Sequence, residues 1–404
     1  MDLTPIVAHP ATVTLASRFR DAGIPLYVVG GAVRDLVAGS DASPADLDFT
    51  TPAHPDTIET LVEGLGTVWE AGRSFGTVGV DIDGMKVEVT TFRTEMYASQ
   101  SRKPTVAFTD DLATDLGRRD LTINTLAVEV TDGVLIDLFG GEADLTAGLL
   151  RTPGDPHTTV LEDPLRQIRT VRFAATRGFR IHPTLASAIR LHRSRLTIVA
   201  RERITAELDR LVDAGPQVFA TALVWANRLG IADSLVGGLP TGPAQIAALG
   251  RLHVGDGVNP LAVLGAAVPD LREQLTDLVL PNTFILEVCG QVSDARRLAA
   301  TSADDVIAVR MLARELTGRR LAVAAALTVT TARPSADTVA AVARELRTYP
   351  QLTAPLPVDG HDALAAGLSG RAVGGGLDAV EAALLSNPTL DRAAALHVLA
   401  TAAA

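Results

Sequence analysis

The sequence predicts an α+β first part followed by a remainder built of helices alone. Three observations lead there. Runs at residues 25–29, 77–82, 86–91 and 134–138 alternate or are β-branched and are punctuated by glycine, and all lie before about residue 145. From about residue 157 onward the pattern changes to long Ala, Leu and Arg stretches with helical spacing. The 404 residues exceed one ordinary domain, and 47% hydrophobic against 21% charged residues gives globular composition with material for a sizeable core.

Each element has a local reason. The first strand ends in Gly30 and Gly31, where the missing side chains permit a tight turn into a helix. Asp46 and Asp48 sit two apart, which in a strand puts both carboxylates on one face. Glu88 interrupts the apolar run Val87 to Val89 of the next long strand and is expected to be buried there. In the helical part the breaks fall at Gly178, Pro183, Gly215 with Pro216, residues 237–243 and Pro281. Arg333 with Pro334, and the proline-rich residues 349–360, read as joints before a last helical piece. No period of 20 to 50 residues suggests a solenoid.

Composition narrows the function classes. The net charge of −11 counts against a protein that coats nucleic acid over its whole surface. The charge is uneven, however: residues 161–210 hold eleven arginines against five acids, so a +6 segment sits in a remainder of −17. Cys289 is the sole cysteine, which rules out an intrachain disulfide and reads as a buried hydrophobe in a reducing compartment. The N-terminal residues lack the apolar stretch of a secretory leader, and the longest uncharged apolar run, 321–332, is too short to span a bilayer. A cytoplasmic protein with no membrane association is expected. Lys86 and Lys103 are the only lysines, so almost every basic group is an arginine.

Two constellations carry chemistry. The Gly30-Gly31 turn opening a helix lets backbone N–H groups approach a phosphate, and Arg34 adds a charged donor. Asp46 and Asp48 would repel unless a cation lies between them, and hard oxygen ligands suit magnesium. Glu88 as a third carboxylate completes a two-metal site for in-line attack on a nucleoside triphosphate. Taken singly, the Asp-x-Asp also suits a surface turn, and Glu88 also suits an ion pair with Arg93 or Lys86.

The order of motifs is specific. Gly30-Gly31-Ala-Val-Arg34-Asp35, Asp46-x-Asp48, Glu88-Val-Thr-Thr-Phe-Arg-Thr-Glu95, Asp115-Leu-Gly-Arg118-Arg119-Asp120-Leu-Thr-Ile-Asn124, Asp137-Leu-Phe-Gly140-Gly141 and Glu162-Asp163-Pro-Leu-Arg166-Gln-Ile-Arg169-Thr-Val-Arg172-Phe173 follow one another. With Arg203-Ile204 and Glu207-Leu208 they closely resemble the class II CCA-adding tRNA nucleotidyltransferase and bacterial poly(A) polymerase family over residues 25–210. The resemblance implies a DNA-polymerase-β-like nucleotidyltransferase head, an α+β fold with a mixed or antiparallel sheet and flanking helices, at residues 1–145. It further implies an all-α neck at 146–215 that reads the base, a body at 216–332 and a tail at 333–404 that holds tRNA.

By the same resemblance, Asp46 and Asp48 would bind magnesium and Glu88 would be the third catalytic carboxylate. Gly30, Gly31, Arg34 and Arg119 would contact the nucleotide, with Asp120 and Asn124 supporting. Asp163 and Arg166, one helical turn apart, would face the base, and Arg169 and Arg172 would continue toward nucleotide or primer. The chemistry is consistent: cytosine and adenine each pair an exocyclic amine donor with a ring-nitrogen acceptor, which one carboxylate and one guanidinium can match. The implied reaction adds CCA to the tRNA 3′ end from CTP and ATP, with no obligate protein partner.

Residues 97–117, with Ser101-Arg102-Lys103-Pro104 and Phe108-Thr109-Asp110-Asp111, resemble the flexible loop of full CCA enzymes. Poly(A) synthesis or partial addition of CC or A remains the alternative, and the acidic remainder disfavours the basic extension typical of poly(A) polymerases. His361-Asp362 reads as coincidence, because the other histidines offer no metal array, so no HD hydrolase domain is expected. The glycines of residues 367–376 resemble a tail-domain turn, and His157 reads as structural.

Overall fold

A computed structural model describes residues 2–40, 44, 46–69, 72–96, 105–331 and 336–403. Its α+β part is organised on a seven-stranded sheet. The strands are β1 (Tyr27–Val29), β2 (Asp46–Thr51), β3 (Thr67–Trp69), β4 (Thr77–Ile82), β5 (Met85–Thr91), β8 (Ala127–Glu129) and β9 (Leu135–Ile136), in the order β3-β4-β5-β2-β1-β8-β9. A separate hairpin pairs β6 (Arg93–Met96) with β7 (Thr105–Phe108). Only β2 and β5 run parallel within the large sheet; its other pairs are antiparallel, so the sheet is mixed as expected.

The alternation of β2 and β5 decides where the acids go. Leu47 and Phe49 on β2, and Val87 and Val89 on β5, are buried, while Asp46, Asp48 and Glu88 between them are exposed. Glu88 therefore does not stand in a strand buried on both faces, as its apolar neighbours suggested. Side chains of period two send it to the open face, and the valines face the core.

The chain divides into two compact units, residues 1–211 with 221–236, and residues 212–220 with 237–404. The first unit carries the sheet and the helices Pro156–Glu162, Leu165–Arg177 and Pro183–His192. Its helix boundaries follow the sequence punctuation. Leu165–Arg177 is closed by Gly178 at φ 68°, and Pro183 opens the next helix, where its missing N–H costs nothing.

The second unit is helical throughout its described residues. One core, with Leu298, Leu312, Leu316, Val342 and Leu352, includes the helix Ala336–Thr348; a separate core gathers Val358, Leu368, Val380 and Leu399. The sequence joint at Arg333 and Pro334 lies outside the described residues, whereas the joint at 349–360 runs from the first core, through Leu352, to the second, through Val358. Arg310 and Arg314 of the helix Val306–Glu315 reach the second core's elements, Arg310 through the Leu385 carbonyl at 2.9 Å and Arg314 through Glu381 at 2.7 Å. Asp362 completes a capping box with Asp359 and accepts from Arg392 at 2.6 Å, so its place beside His361 has a structural reason. A cavity of about 720 Å³ lined by Arg272, Cys289 and Arg296 opens in this unit. Among the described residues no helix is long and apolar enough to cross a membrane.

Candidate active site and nucleotide-reading strip

The acids meet on the open face of β2 and β5. Parallel register sets Asp48 opposite Glu88 and Asp46 opposite Lys86, so Asp46 and Asp48 share a face with Glu88 beside them. On the other flank β1 pairs antiparallel with β2 and brings Val29 opposite Asp48. The chain then turns at Gly30 with φ 79° and enters the helix Gly31–Val37. A β-carbon on Gly30 would stand 3.1 Å from Asp48 Oδ2, so this position requires glycine both for its backbone angle and for its neighbour. A cavity of about 250 Å³ lined by Gly31, Arg34, Asp35 and Asp46 opens beside the turn.

Asp48 is open to water on one side and crowded by protein on the others. Partial loss of hydration, then repulsion from Asp46 and Glu88, pushes its carboxyl up to about 6 against the pull of Arg119. Such an excess of negative charge fits a cation. Among the described residues no three His, Cys, Asp or Glu side chains form a ready-made metal cage. A hard divalent ion that keeps part of its water shell and takes one or two carboxylates does not need one.

Arg119 stands beside these acids. Burial lowers its pKa from the usual arginine value, opposed by Asp115, and its Nε has no hydrogen-bond partner among the described residues. Its guanidinium approaches Asp115 at 3.6 Å. Asp115, fully buried, also accepts from Thr50 Oγ1 at 3.0 Å and from Arg118 Nη2 at 2.8 Å. Burial works to raise the Asp115 pKa, but Arg118 and Arg119 hold it below the ordinary carboxylate value.

From the helix Gly31–Val37 a polar chain runs to the helix Leu165–Arg177. Arg34, 8% exposed, grips Asp35 at 2.8 Å and donates from Nη1 to Asn124 Oδ1 at 2.8 Å. Asn124 donates to Asp120 Oδ1 at 2.8 Å, and Asp120 Oδ2 accepts from Arg169 Nε at 2.8 Å. Burial opposes the charge on Asp120, yet Arg169 and Asn124 hold its pKa below normal. Glu207, 2% exposed on the helix Arg201–Asp213, receives Arg172 at 2.5 Å, Arg210 at 2.6 Å and Arg169 at 3.5 Å. Phe173 lies under three guanidinium groups, those of Arg34, Arg169 and Arg172, at 5.1, 5.7 and 4.3 Å from its centroid.

Asp163 and Arg166 do not lie together on one helix. Pro164 forces the residue before it out of the helical region, and Asp163 has φ −127° and ψ 99° in the break between Pro156–Glu162 and Leu165–Arg177. Its carboxylate accepts from Leu165 N at 3.1 Å and pairs with Arg203 at 2.8 and 3.3 Å. Arg166 is buried and donates instead to the carbonyls of Arg118 at 2.6 Å and Thr159 at 3.2 Å and to Glu162 at 3.1 Å. Among the described residues of the loop region, Phe108 packs edge-on against His54 and Asp111 caps the helix Leu112–Gly117; residues 97–104 lie outside the described residues.

The family profile described as Poly A polymerase head domain matches residues 26–151. The first unit therefore carries a stretch similar to the head domain of poly(A) polymerases. A second family profile, described as a probable RNA and SrmB-binding site of polymerase A, matches residues 178–224. CCA-adding enzymes of Bacillus pumilus and Bacillus subtilis are 41% identical over 191 and 193 residues, which is 47% and 48% of this chain. These matches span about half the length of those relatives, 46% and 47%. The crystal structure of the Bacillus stearothermophilus CCA-adding enzyme in complex with CTP is similar at a TM-score of 0.70 and 27% identity, covering 93% of this chain and 92% of that one. A Thermotoga maritima CCA-adding enzyme complexed with tRNA shares the fold at a TM-score of 0.68 and 19% identity, covering 99% and 98% of the two chains.

Sequence reasoning passed over Asp115, Phe173 and Glu207 as site residues, although all three stand in the motifs that carried the resemblance. The available signal was an acid inside an otherwise basic segment, as with Glu207 among Arg203 and Arg210.

Proposed function

We propose that this protein adds C, C and A in turn to the 3′ end of tRNA, using CTP and ATP and no nucleic-acid template. The observation that carries the reading is the grouping of Asp46, Asp48 and Glu88 on one open face beneath the Gly30 turn. The 3′ hydroxyl of the tRNA attacks the α-phosphorus, one phosphodiester bond forms, and pyrophosphate leaves. Magnesium held by Asp46 and Asp48, with Glu88 beside them, would supply activation of the hydroxyl and neutralisation of the leaving group. Arg34 and Arg119 orient the triphosphate by charge-assisted hydrogen bonds, and the N–H groups of the Gly30-Gly31 turn approach it where no side chain intervenes.

Asp120 and Asn124 hold Arg34 and Arg169 in place, so the triphosphate contact and the arginine strip form one rigid arrangement. Asp163 and Arg166 supply the acceptor and the donor that distinguish C and A from G and U, whose edges carry the reverse pattern. Residues 1–145 act as the catalytic head, 146–215 as the base-reading neck, and 216–332 and 333–404 as the body and tail that hold the tRNA. The relatives named CCA-adding enzyme support this reading.

The test is direct. Purified protein with magnesium, CTP and ATP is given a tRNA that lacks its last three nucleotides, and the products are separated at single-nucleotide resolution. Extension by C, C and A followed by arrest is expected. A product stopping after C, or an unlimited run of A, would transfer the protein to the partial or poly(A)-forming members.

A further inference from the structure

We infer that Arg177 is a positioning residue for the triphosphate, acting through Asp35 on Arg34. The inference rests on the triphosphate role proposed for Arg34 and adds to it a residue from another helix. Arg177 ends the helix Leu165–Arg177, outside every motif that carried the resemblance, and its Nη2 donates to Asp35 Oδ1 across 142 residues of sequence.

The contact explains a pair that a helix does not favour. Arg34 and Asp35 are neighbours on the helix Gly31–Val37, where successive side chains leave the axis about 100° apart and do not face each other. Asp35 nevertheless holds Arg34 at two points, accepting at Oδ1 from Nε at 2.8 Å and at Oδ2 from Nη2 at 3.1 Å. Its carboxylate is therefore turned toward its own chain neighbour. Arg177 reaches the same Oδ1 from outside that helix and supplies the second cation that keeps the carboxylate there.

The consequence lies in the donors that Arg34 keeps. Asp35 takes Nε and one N–H of Nη2, and Asn124 takes one N–H of Nη1. One N–H on each Nη is left, a fork that matches two oxygens of a phosphate. A β-carbon on Gly31 would stand 3.6 Å from Nη2, so the fork opens beside the glycine turn. With Asp35 released, Arg34 would keep its bond to Asn124 and turn about that one contact, and the fork would lose its aim.

The base-reading end of the same helix is set by other bonds, from Arg166 to the Arg118 carbonyl at 2.6 Å and from Arg169 to Asp120 at 2.8 Å. Loss of Arg177 thus withdraws the restraint on Arg34 and leaves those contacts in place. Triphosphate affinity should fall equally for every nucleotide, and base choice should not change. The side chains of Arg177 and Asp35 are 32% and 36% exposed, so water screens the pair and the effect is modest.

The experiment measures KM and kcat for CTP, ATP and UTP on tRNA acceptors, and inhibition by inorganic tripolyphosphate, in wild type, R177M, R177K and R34M. A thermal melt checks folding. Tripolyphosphate carries neither sugar nor base, so it reports the phosphate contact alone. R177M should raise each KM and the inhibition constant by one common factor, about fivefold, which corresponds to about 1 kcal/mol. Its kcat and its preference for CTP over UTP should stay as in wild type. R177K keeps a cation able to make the single contact and should recover most of the loss. Wild-type KM in R177M, a loss confined to kcat, a rise for one nucleotide but not for tripolyphosphate, or an R177K no better than R177M would each overturn the inference. If R177M does not fold, R177Q takes its place, and wild-type KM there overturns it. An R34M that binds tripolyphosphate as tightly as wild type would reject the underlying reading of Arg34, whereas a loss in R34M with none in R177M overturns the inference alone.

Discussion

Arg34 donates to Asn124 at 2.8 Å across 90 residues of sequence, and both partners are buried. Asn124 passes the contact to Asp120, and Asp120 to Arg169, so a residue of the glycine-turn helix and a residue of the arginine strip are two side chains apart.

Asn124→Ala removes the middle of that chain. It strands one Arg34 donor and one Asp120 acceptor, each at a cost of about 1–3 kcal/mol when buried. Urea unfolding should show the loss, and KM for CTP should rise because Arg34 is then held by Asp35 alone and loses its link to Asp120 and Arg169. Full stability with an unchanged KM would mean that the chain is incidental.

Gly30→Ala is expected to cost about 1–3 kcal/mol from its φ of 79° alone. The new methyl group also meets Asp48 Oδ2 at 3.1 Å and displaces it. Single-turnover rates should therefore fall well beyond what the lost stability explains. A variant with wild-type rate would show that Asp48 tolerates the shift.

Asp48→Asn should separate stability from activity. Asp48 is crowded by Asp46 and Glu88, so removing its charge relieves repulsion and should raise the thermal midpoint of the metal-free protein. Nucleotide transfer should disappear in the same variant. A lower midpoint would contradict the repulsion, and retained transfer would remove Asp48 from the reaction.

Acid should act through Asp115. Its folded pKa lies below the ordinary value, because Arg118 and Arg119 outweigh its burial. The folded state thus binds protons less readily than the unfolded one. Asp115 contributes stability above about pH 4, and that contribution is lost as pH falls through its depressed folded value. Asp115→Asn should lose about 3 kcal/mol at neutral pH by leaving the half-buried Arg118 and Arg119 uncompensated, and its stability should depend less on pH below 4. Parallel acid titrations of wild type and variant would refute this.

The legible parts of the fold were those with local causes. Period-two alternation announced β4 and β5, and glycine and proline announced the helix ends at Gly178 and Pro183. Strands of two or three residues, such as β3 and β9, carry too little pattern to be read. The separation of Asp163 from the Arg166 helix was available in Pro164, but a helical spacing was assumed across it. Arg203 and Glu207 find their partners 40 and 35 residues away, and such pairings depend on tertiary packing that no local pattern encodes.

The parallel pairing of β2 with β5 has a consequence for synthesis. Asp48 and Glu88 lie 40 positions apart, and a parallel pair cannot be closed by a tight hairpin. A chain emerging from the ribosome holds both aspartates long before it can hold the third acid beside them. Until β5 has emerged and docked, β2 presents an unpaired edge, so this stretch is open to misassembly while the chain is nascent.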